Sequence, residues 1–422
     1  MVKKIGIIGL GHVGEATVRS LAKYSSFIND RTSLDIEVKW LCDVRKSKQA
    51  VASRYRLPFT TDALKLIHDP EIDIIVELVG GIEPAHTYIK EALQNGKHVV
   101  TANKALLAIH GKDIFTLAKN KKKAIGIEAS VCAAIPLIKS ISEGLVSCDI
   151  KKMYGILNGT TNYILHKMGK EKVAFSSALE EAQSKGLAER NPSLDIEGKD
   201  ALNKLCILSY LCFGVWPDPS KVYAEGISKI NILDVLYAEE LDYRIKLLAI
   251  AKKEKDSLEL RVHPTLISIG HPLSEVSFAY NAVYLDTQPA GELLFYGEGA
   301  GGFPTSSAVI SDIVNISLHE KGFMGRSKNI RLKNMRNINA RYYIRFMTHD
   351  RPGVLAKISK ILASLHISIA SVTQKERQRR KFVPIIMITH EAKEDHVRKA
   401  LFIIDRLPFI KSPSQIIRIE DL

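Results

Sequence analysis

The chain has 422 residues, 46 % of them apolar, and a net charge of +14 at pH 7. That length suits two or three domains, each with a sizeable core. No apolar run approaches the roughly twenty residues a membrane-spanning helix needs, and five scattered cysteines without a CxxC pair exclude a disulfide framework and a thiolate metal site.

The N-terminal MVKKIGIIGLGHVG lacks the long apolar segment and cleavage site of a secretory signal and reads as a first strand, so a cytoplasmic protein is expected. Val2 to Leu10 runs into Gly9-x-Gly11-x-x-Gly14, and Ala16, Val18, Leu21 and Ala22 follow at helical spacing. A glycine triplet between strand and helix predicts a dinucleotide site. Gly9 permits the tight turn, Gly11 lets backbone N–H groups approach a pyrophosphate beside His12 and Val13, and Gly14 lets helix and strand pack closely. The helix N-terminus then favours the phosphates. The plain alternative is a glycine-rich turn without a ligand.

A second strand, Glu37 to Cys42, ends in Asp43. A carboxylate there accepts from the adenosine ribose of NAD, whereas Arg45 and Lys46 suit the 2′-phosphate of NADP. Cofactor choice stays open. The acid stands further from the glycines than the usual 20 or so residues, so Ser25–Ile36 reads as an insertion between helix and strand. A third strand, Ile72 to Val79, is almost wholly apolar, as in a parallel sheet buried on both faces. It ends in Gly80-Gly81, and a helical pattern runs on through Leu93. A fourth strand, His98 to Val100, leads into Thr101-Ala102-Asn103-Lys104, and a fifth, Ala124 to Ile127, into Glu128-Ala129-Ser130. Polar residues at the carboxyl ends of successive parallel strands are where such a sheet places its ligands. Lys104 is therefore a candidate active-site residue. The basic run Lys119–Lys123 lacks interleaved aromatics and reads as a solvated helix end.

The stretch Gly186 to Leu208, GLAERNPSLDIEGKDALNKLCIL, concentrates chemistry. It holds Glu189, Asp195, Asp200 and Lys204. Asp200 and Lys204 are four apart and share one face of a helix whose apolar side is Leu202, Leu205, Leu208 and Leu211. A lysine held by carboxylates stays protonated and suits proton delivery to a forming alkoxide. The remaining carboxylates suit a substrate ammonium. The alternative is ordinary decoration of a helix start.

After Asp312 the pattern changes. Lys321–Ala340 is polar and reads as a linker. Tyr342–Met347, Ile367–Gln374, Phe382–Thr389 and Gln415–Ile419 read as strands. Helices are expected over Val354–Leu365 and up to about Ile404, giving a ferredoxin-like βαββαβ unit. Lys375–Lys381 is expected at a hairpin tip. With neither basic run built for stacking, no nucleic-acid partner is expected, and no membrane.

Seven segments, in order, resemble the homoserine dehydrogenase family: GLGHVGEAT, VELVGGIEPA, VVTANKALLA, IEASVCAAIPLI, GILNGTTNYIL, GLAERNPSLDIEGKDALNKLCIL and GEGAGGFPTSSAVISDI. DRPGVLAKISKIL in the terminal unit resembles an ACT domain. The resemblance implies an α/β protein with a Rossmann domain over 1–130, completed by about 303–320. An α+β substrate and dimerisation domain over 131–312, a linker over 321–340 and the ACT domain over 341–422 complete it. It implies reversible reduction of L-aspartate 4-semialdehyde to L-homoserine by NAD(P)H in threonine and methionine biosynthesis. Lys204 matches the family's proton donor, Asp200 its partner, and Lys104 a second lysine near substrate and nicotinamide. Glu189 and Asp195 match carboxylates at the substrate's amino and hydroxyl ends, and Gly159 and Thr160 a substrate loop. Gly9, Gly11, His12, Val13, Gly14, Asp43, Arg45, Gly80 and Gly301 are the expected cofactor contacts, with Lys104. A sodium ion is implied at Glu128, Val131, Ala133 and Ile135, although Val131-Cys132-Ala133-Ala134 replaces the family's common VAGG. AERNP likewise replaces the common AEADP, with Glu189 kept. Asp350, Gly353, Val354 and Leu355 are the expected effector turn, with threonine as effector and a homodimer, or a tetramer through ACT pairing, as the assembly. An ACT unit that serves oligomer contacts alone is the alternative.

Three other readings compete. Aspartate-semialdehyde dehydrogenase needs a nucleophilic cysteine, and no cysteine sits in a context that lowers its pKa, the charge of Glu128 near Cys132 acting to raise it. A dinucleotide-binding redox or nucleic-acid regulator without catalysis leaves Glu189 to Lys204 unexplained. A pseudoenzyme is the third.

Overall fold

The computed structural model describes residues 2–320, 325, 327–375 and 382–422. The chain forms two compact units, one of residues 1–153, 200–222 and 280–330, the other of residues 154–199, 223–279 and 331–422. No helix among the described residues is long and apolar enough to cross a membrane.

The first unit holds a six-stranded parallel sheet: β1 (Val2–Ile8), β2 (Asp35–Cys42), β3 (Phe59–Thr60), β4 (Ile74–Glu77), β5 (His98–Thr101) and β6 (Ile125–Gly126), in the order β3-β2-β1-β4-β5-β6. Apolar strands buried on both faces supply the core, with Ile5, Ile7, Leu41, Val76 and Val100 fully enclosed. The order reverses between β1 and β4, which opens a crevice at the strands' carboxyl ends. Helix Gly302–His319 adds Val309, Ile313 and Ile316 to the same core. A hairpin, Tyr280–Gln288 with Gly291–Glu298, also belongs to this unit.

Two expectations change here. Ser25–Thr32 is not an insertion, because the first helix runs unbroken from His12 to Thr32 and is closed by Ser33 in the left-handed region. Its later turns are solvent-exposed, Tyr24 and Phe27 included, so no apolar period marks them. β3 escaped notice because a two-residue strand shows no alternation.

In the second unit, strands Tyr243–Lys253 and Ser257–Ser268 pair antiparallel. The sheet continues through Ile410–Glu420, Asn339–His349 and Phe382–Thr389 to Ile369–Thr373. Helices Val354–Ser364 and Glu394–Ile404 pack Ile358, Leu362, Val397 and Ile404 onto it, completing the βαββαβ unit. That unit is not pendant, because its last strand lies parallel to Ser257–Ser268, Thr265 opposite Arg418. The polar linker is also more ordered than expected. Arg331–Leu332 pairs with Ser257–Leu258, and the strand from Asn339 starts inside it; 321–324 and 326 lie outside the described residues, as do 376–381 of the second basic run. Lys375 pairs with Glu240 at 2.6 Å. Lys119 and Lys121 sit in the last turn of helix Lys104–Lys121, with Lys122 capping it.

Candidate active site

In the first unit the strongest cluster is built on two helices. Helix Lys199–Phe213 is apolar enough to be buried along most of its length, and it carries Asp200 and Lys204 one turn apart. Both are 7 % exposed. Lys204 Nζ donates to Asp200 Oδ2 at 2.8 Å. Helix Lys104–Lys121 starts where β5 ends, capped by Asn103, whose Oδ1 accepts from Leu106 N. Its first residue, Lys104, reaches Asp200 Oδ1 at 3.1 Å with its side chain 42 % exposed. One buried carboxylate thus bridges two lysines, one enclosed and one open.

The dinucleotide turn follows from its glycines. A Cβ on Gly14 would lie 2.0 Å from Gly9 O, and one on Gly9 2.6 Å from Leu78 backbone. These two are packing constraints. A Cβ on Gly11 would meet nothing within 4 Å among the described residues, so the helix N-terminus faces open space there, the form a phosphate needs. His12 and Val13 open that helix. Gly301 precedes the helix that begins at Gly302, where a Cβ would lie 2.9 Å from His12 Nε2. Gly80 follows β4, next to Gly81, whose carbonyl accepts from Asn103 Nδ2 at 2.6 Å.

Asp43 is buried at the end of β2 and fully occupied. Leu10 N and Arg45 Nη2 donate to Oδ2, each at 2.8 Å, and Arg45 N and Nε donate to Oδ1, each at 2.9 Å. The Arg45 guanidinium holds its carboxyl well below the usual range, against the opposing pull of burial.

At the loop after β6, Glu128 accepts from Ile138 N at 2.8 Å and Lys139 N at 2.9 Å. Burial pushes its carboxyl up. Val131, Ala133 and Ile135 are buried in the following turn. Ile135 O already accepts from Leu137 N. Cys132 and Ala133 have φ of 56° and 34°, the left-handed region that costs a side-chain-bearing residue about 1–2 kcal/mol. Val131, Ala133 and Ile135 offer carbonyl oxygens and Glu128 a carboxylate with lone pairs to spare, a donor set that fits a hard monovalent cation. No cluster of three or more His, Cys, Asp or Glu side chains suits a metal among the described residues.

Cys132 is buried, and burial pushes its thiol up to about 11. Cys42, Cys206 and Cys212 are pushed up to about 12, each by burial first. A thioester-forming cysteine needs the reverse.

In the second unit, Asn158 caps helix Gly159–Glu171 through Thr161 N and donates from Nδ2 to Asp195 Oδ1 at 2.7 Å. Gly159 lies against Ala279 O, where a Cβ would come within 2.5 Å. Thr160 Oγ1 donates to Leu187 O at 2.6 Å. Helix start, Asp195 and Leu187 thereby form one group. Glu189 is exposed on the same loop, its carbonyl accepting from Gln183 Nε2. The turn expected to take an effector belongs to the same unit. Gly353, φ 85°, precedes helix Val354–Ser364, with Val354 buried, Leu355 40 % exposed and Asp350 facing Gln374 at 3.5 Å.

Asn103 and Asn158, the caps of these two helices, are not among the residues the sequence singles out. Each stands one position before a helix that begins with a named candidate, and asparagine at an N-cap is a readable signal.

The family model for the homoserine dehydrogenase NAD binding domain matches residues 9–128, that for homoserine dehydrogenase 136–314, and that for the ACT domain 342–406. Homoserine dehydrogenase of Helicobacter pylori is 42 % identical over 422 residues, covering 99 % of each chain. The crystal structure of a homoserine dehydrogenase from Thiobacillus denitrificans superposes with a TM-score of 0.94 at 41 % identity, covering 100 % of this chain and 99 % of that one. A hyperthermophilic archaeal homoserine dehydrogenase in complex with NADPH superposes with a TM-score of 0.65 at 28 % identity over 77 % of this chain and 99 % of its own. With this match along its whole length, the chain belongs to the homoserine dehydrogenase family, NAD(P)-dependent oxidoreductases, and carries a C-terminal ACT domain.

Proposed function

We propose that Lys204 is the proton donor in the reversible reduction of L-aspartate 4-semialdehyde to L-homoserine. The supporting observation is the buried bridge of Asp200 between Lys204 at 2.8 Å and Lys104 at 3.1 Å. NAD(P)H, when bound, supplies the hydride to the aldehyde carbon. Negative charge then develops on oxygen, and a preset ammonium stabilises and neutralises it. Asp200 keeps Lys204 charged and oriented. In homoserine oxidation the same amine, once deprotonated, takes the hydroxyl proton. Lys104, the more exposed lysine, serves the nicotinamide and substrate side. Glu189 and Asp195 hold the substrate's amino and hydroxyl ends, with Gly159 and Thr160 shaping the loop. The cofactor would be held by Gly11, His12, Val13, Gly80 and Gly301, with Asp43 and Arg45 taking its adenosine end. A sodium ion would be held by Glu128 and the carbonyls of Val131, Ala133 and Ile135, where it orders the loop and carries no chemical step.

The ACT domain supports feedback by threonine at Asp350, Gly353, Val354 and Leu355, in a cytoplasmic homodimer or tetramer. Steady-state homoserine oxidation with NAD and NADP in parallel, across a threonine titration, tests the scheme. Turnover with either cofactor and a falling curve are expected. No turnover with either removes the catalytic reading, and a flat curve removes the threonine effector.

A further inference from the structure

The second unit contains a cavity of about 400 Å³ between helix Gly159–Glu171, helix Ile232–Glu240 and strand Tyr243–Lys253. No residue assigned above to substrate, cofactor or effector lines it. Four of its side chains are basic, His166, Lys170, Arg244 and Lys246, against the single carboxylate of Glu239. Phe278 forms one wall, with the His166 ring tilted against it at 4.6 Å and Lys170 Nζ 5.6 Å from its centre. His166 Nε2 is buried without a hydrogen-bond partner among the described residues, and an orphaned polar atom in a basic cavity calls for an acceptor or donor from outside the chain. Arg244 adds a second cation to this wall and pairs with Glu275 at 3.5 Å.

The cavity floor is wired to the substrate loop. Lys246 is 3 % exposed. Its Nζ donates to Asn162 Oδ1 at 3.1 Å and to Val276 O at 2.5 Å. Asn162 Nδ2 donates in turn to Val276 O at 3.1 Å and Phe278 O at 2.9 Å. The next residue, Ala279, is the one Gly159 rests on. A change of charge at Lys246 therefore acts on the segment that supports Gly159 and Thr160.

We propose that this cavity binds a small anion bearing a carboxylate or phosphate, and that the bound charge is transmitted through Lys246 and Asn162 to the Gly159–Thr160 loop. The second half rests on the reading of that loop as substrate-contacting; the first half does not. Burial, then Arg244, push the Lys246 amine down to about 7, against the pull of Glu275. His166, Lys170 and Glu239 are the other ionisable groups around it. A bound anion favours the ammonium, so binding takes up a proton and weakens as pH rises through neutrality.

Isothermal titration of the full chain with sodium phosphate and with sodium acetate, at fixed ionic strength in chloride, tests this. Saturable binding of at least one anion is expected, weaker at higher pH. It should fall about tenfold or more, the worth of a charged hydrogen bond, in Lys246→Met and in Gly169→Leu. A Cβ at Gly169 would lie 3.0 Å from Glu239 Oε1 and 3.5 Å from Val235, so leucine fills the cavity from a helix that it suits. Phosphate alone, or acetate alone, assigns the ligand's anionic group. No saturable binding, or binding unchanged in Gly169→Leu, overturns the site. The transmission predicts that the saturating anion moves the homoserine KM by about fivefold, a typical coupling, and that Gly169→Leu abolishes the shift. Binding with an unmoved KM overturns the transmission, and an enzyme without turnover leaves the binding result standing.

Discussion

At the scale of single residues, Asp200 divides its two oxygens between two lysines. Oδ2 goes to buried Lys204 and Oδ1 to half-exposed Lys104. Lys204→Ala removes the group closest to that carboxylate and should lower turnover by about 10²–10³-fold, the usual loss for one donor at a developing oxyanion. Cofactor affinity, read by nicotinamide fluorescence, should persist. Near-normal turnover of the folded variant would contradict the assignment. Asp200→Asn conserves size and removes the negative charge beside both lysines. An ammonium that loses a neighbouring anion gives up its proton at lower pH. The pH profile of kcat/KM for aldehyde reduction, which needs the protonated amine, should therefore lose its high-pH activity earlier in this variant. A profile displaced the other way would mean that Asp200 does not hold the proton on lysine.

At the scale of elements, the glycine turn separates folding from binding. Gly14 is pinned by Gly9 O and Gly11 by nothing. Gly14→Ala should lose fold and cofactor binding together, because a Cβ 2.0 Å from a carbonyl oxygen forces helix and strand apart. Gly11→Ala should melt like the parent and bind cofactor at least about tenfold more weakly, as a methyl intrudes where backbone meets pyrophosphate. Equal melting of parent and both variants would refute this division. The turn was readable in the sequence because strand, glycines and helix stand in a fixed order. So was helix Lys199–Phe213, through the spacing of Leu202, Leu205, Leu208 and Leu211. The outer turns of the first helix were not, because residues such as Phe27 face solvent and carry no period. Nor was the bridging of Asp200 to Lys104, since 96 residues separate the two in sequence and only the sheet's topology brings the start of one helix to the side of another. Nor was the left-handed backbone at Cys132 and Ala133, because a sequence without glycine there argues locally against the conformation the turn adopts.

At the scale of the whole molecule, the sequence pattern separated the C-terminal βαββαβ unit correctly in order but portrayed it as tethered by a polar linker. The structure makes it part of a continuous sheet in the second unit, and charged groups at that join carry the consequence. Arg418, fully buried, donates to both oxygens of Glu394 at 2.6 and 3.0 Å and to Glu225 at 2.8 Å. Arg261, also fully buried, meets Glu420 at 2.5 Å and Glu259 at 2.7 Å, while Arg345 grips Asp234 at 2.6 Å. Removing residues 341–422 would strip Arg261 of Glu420, Glu225 of Arg418 and Asp234 of Arg345. Breaking a buried pair by deleting one partner costs about 3–5 kcal/mol, so the truncated chain should be recovered insoluble or melt far below the full chain. A soluble truncation with an unchanged melting temperature would refute the join. The same groups set the acid limit. Burial raises Glu225, Glu394 and Glu420, but their arginines outweigh it and hold all three below the ordinary carboxylate range. A carboxyl whose folded pKa lies below its unfolded value stabilises above the unfolded value, near 4.3, and that contribution disappears as pH falls through the folded one. Thermal melting of the full chain should thus stay level from about pH 7 to about pH 5 and drop below about pH 4. Glu420→Gln should melt lower at neutrality because Arg261 keeps only one of its two counter-charges, Glu259, and then decline less steeply in acid because one of the protons no longer has a site to enter.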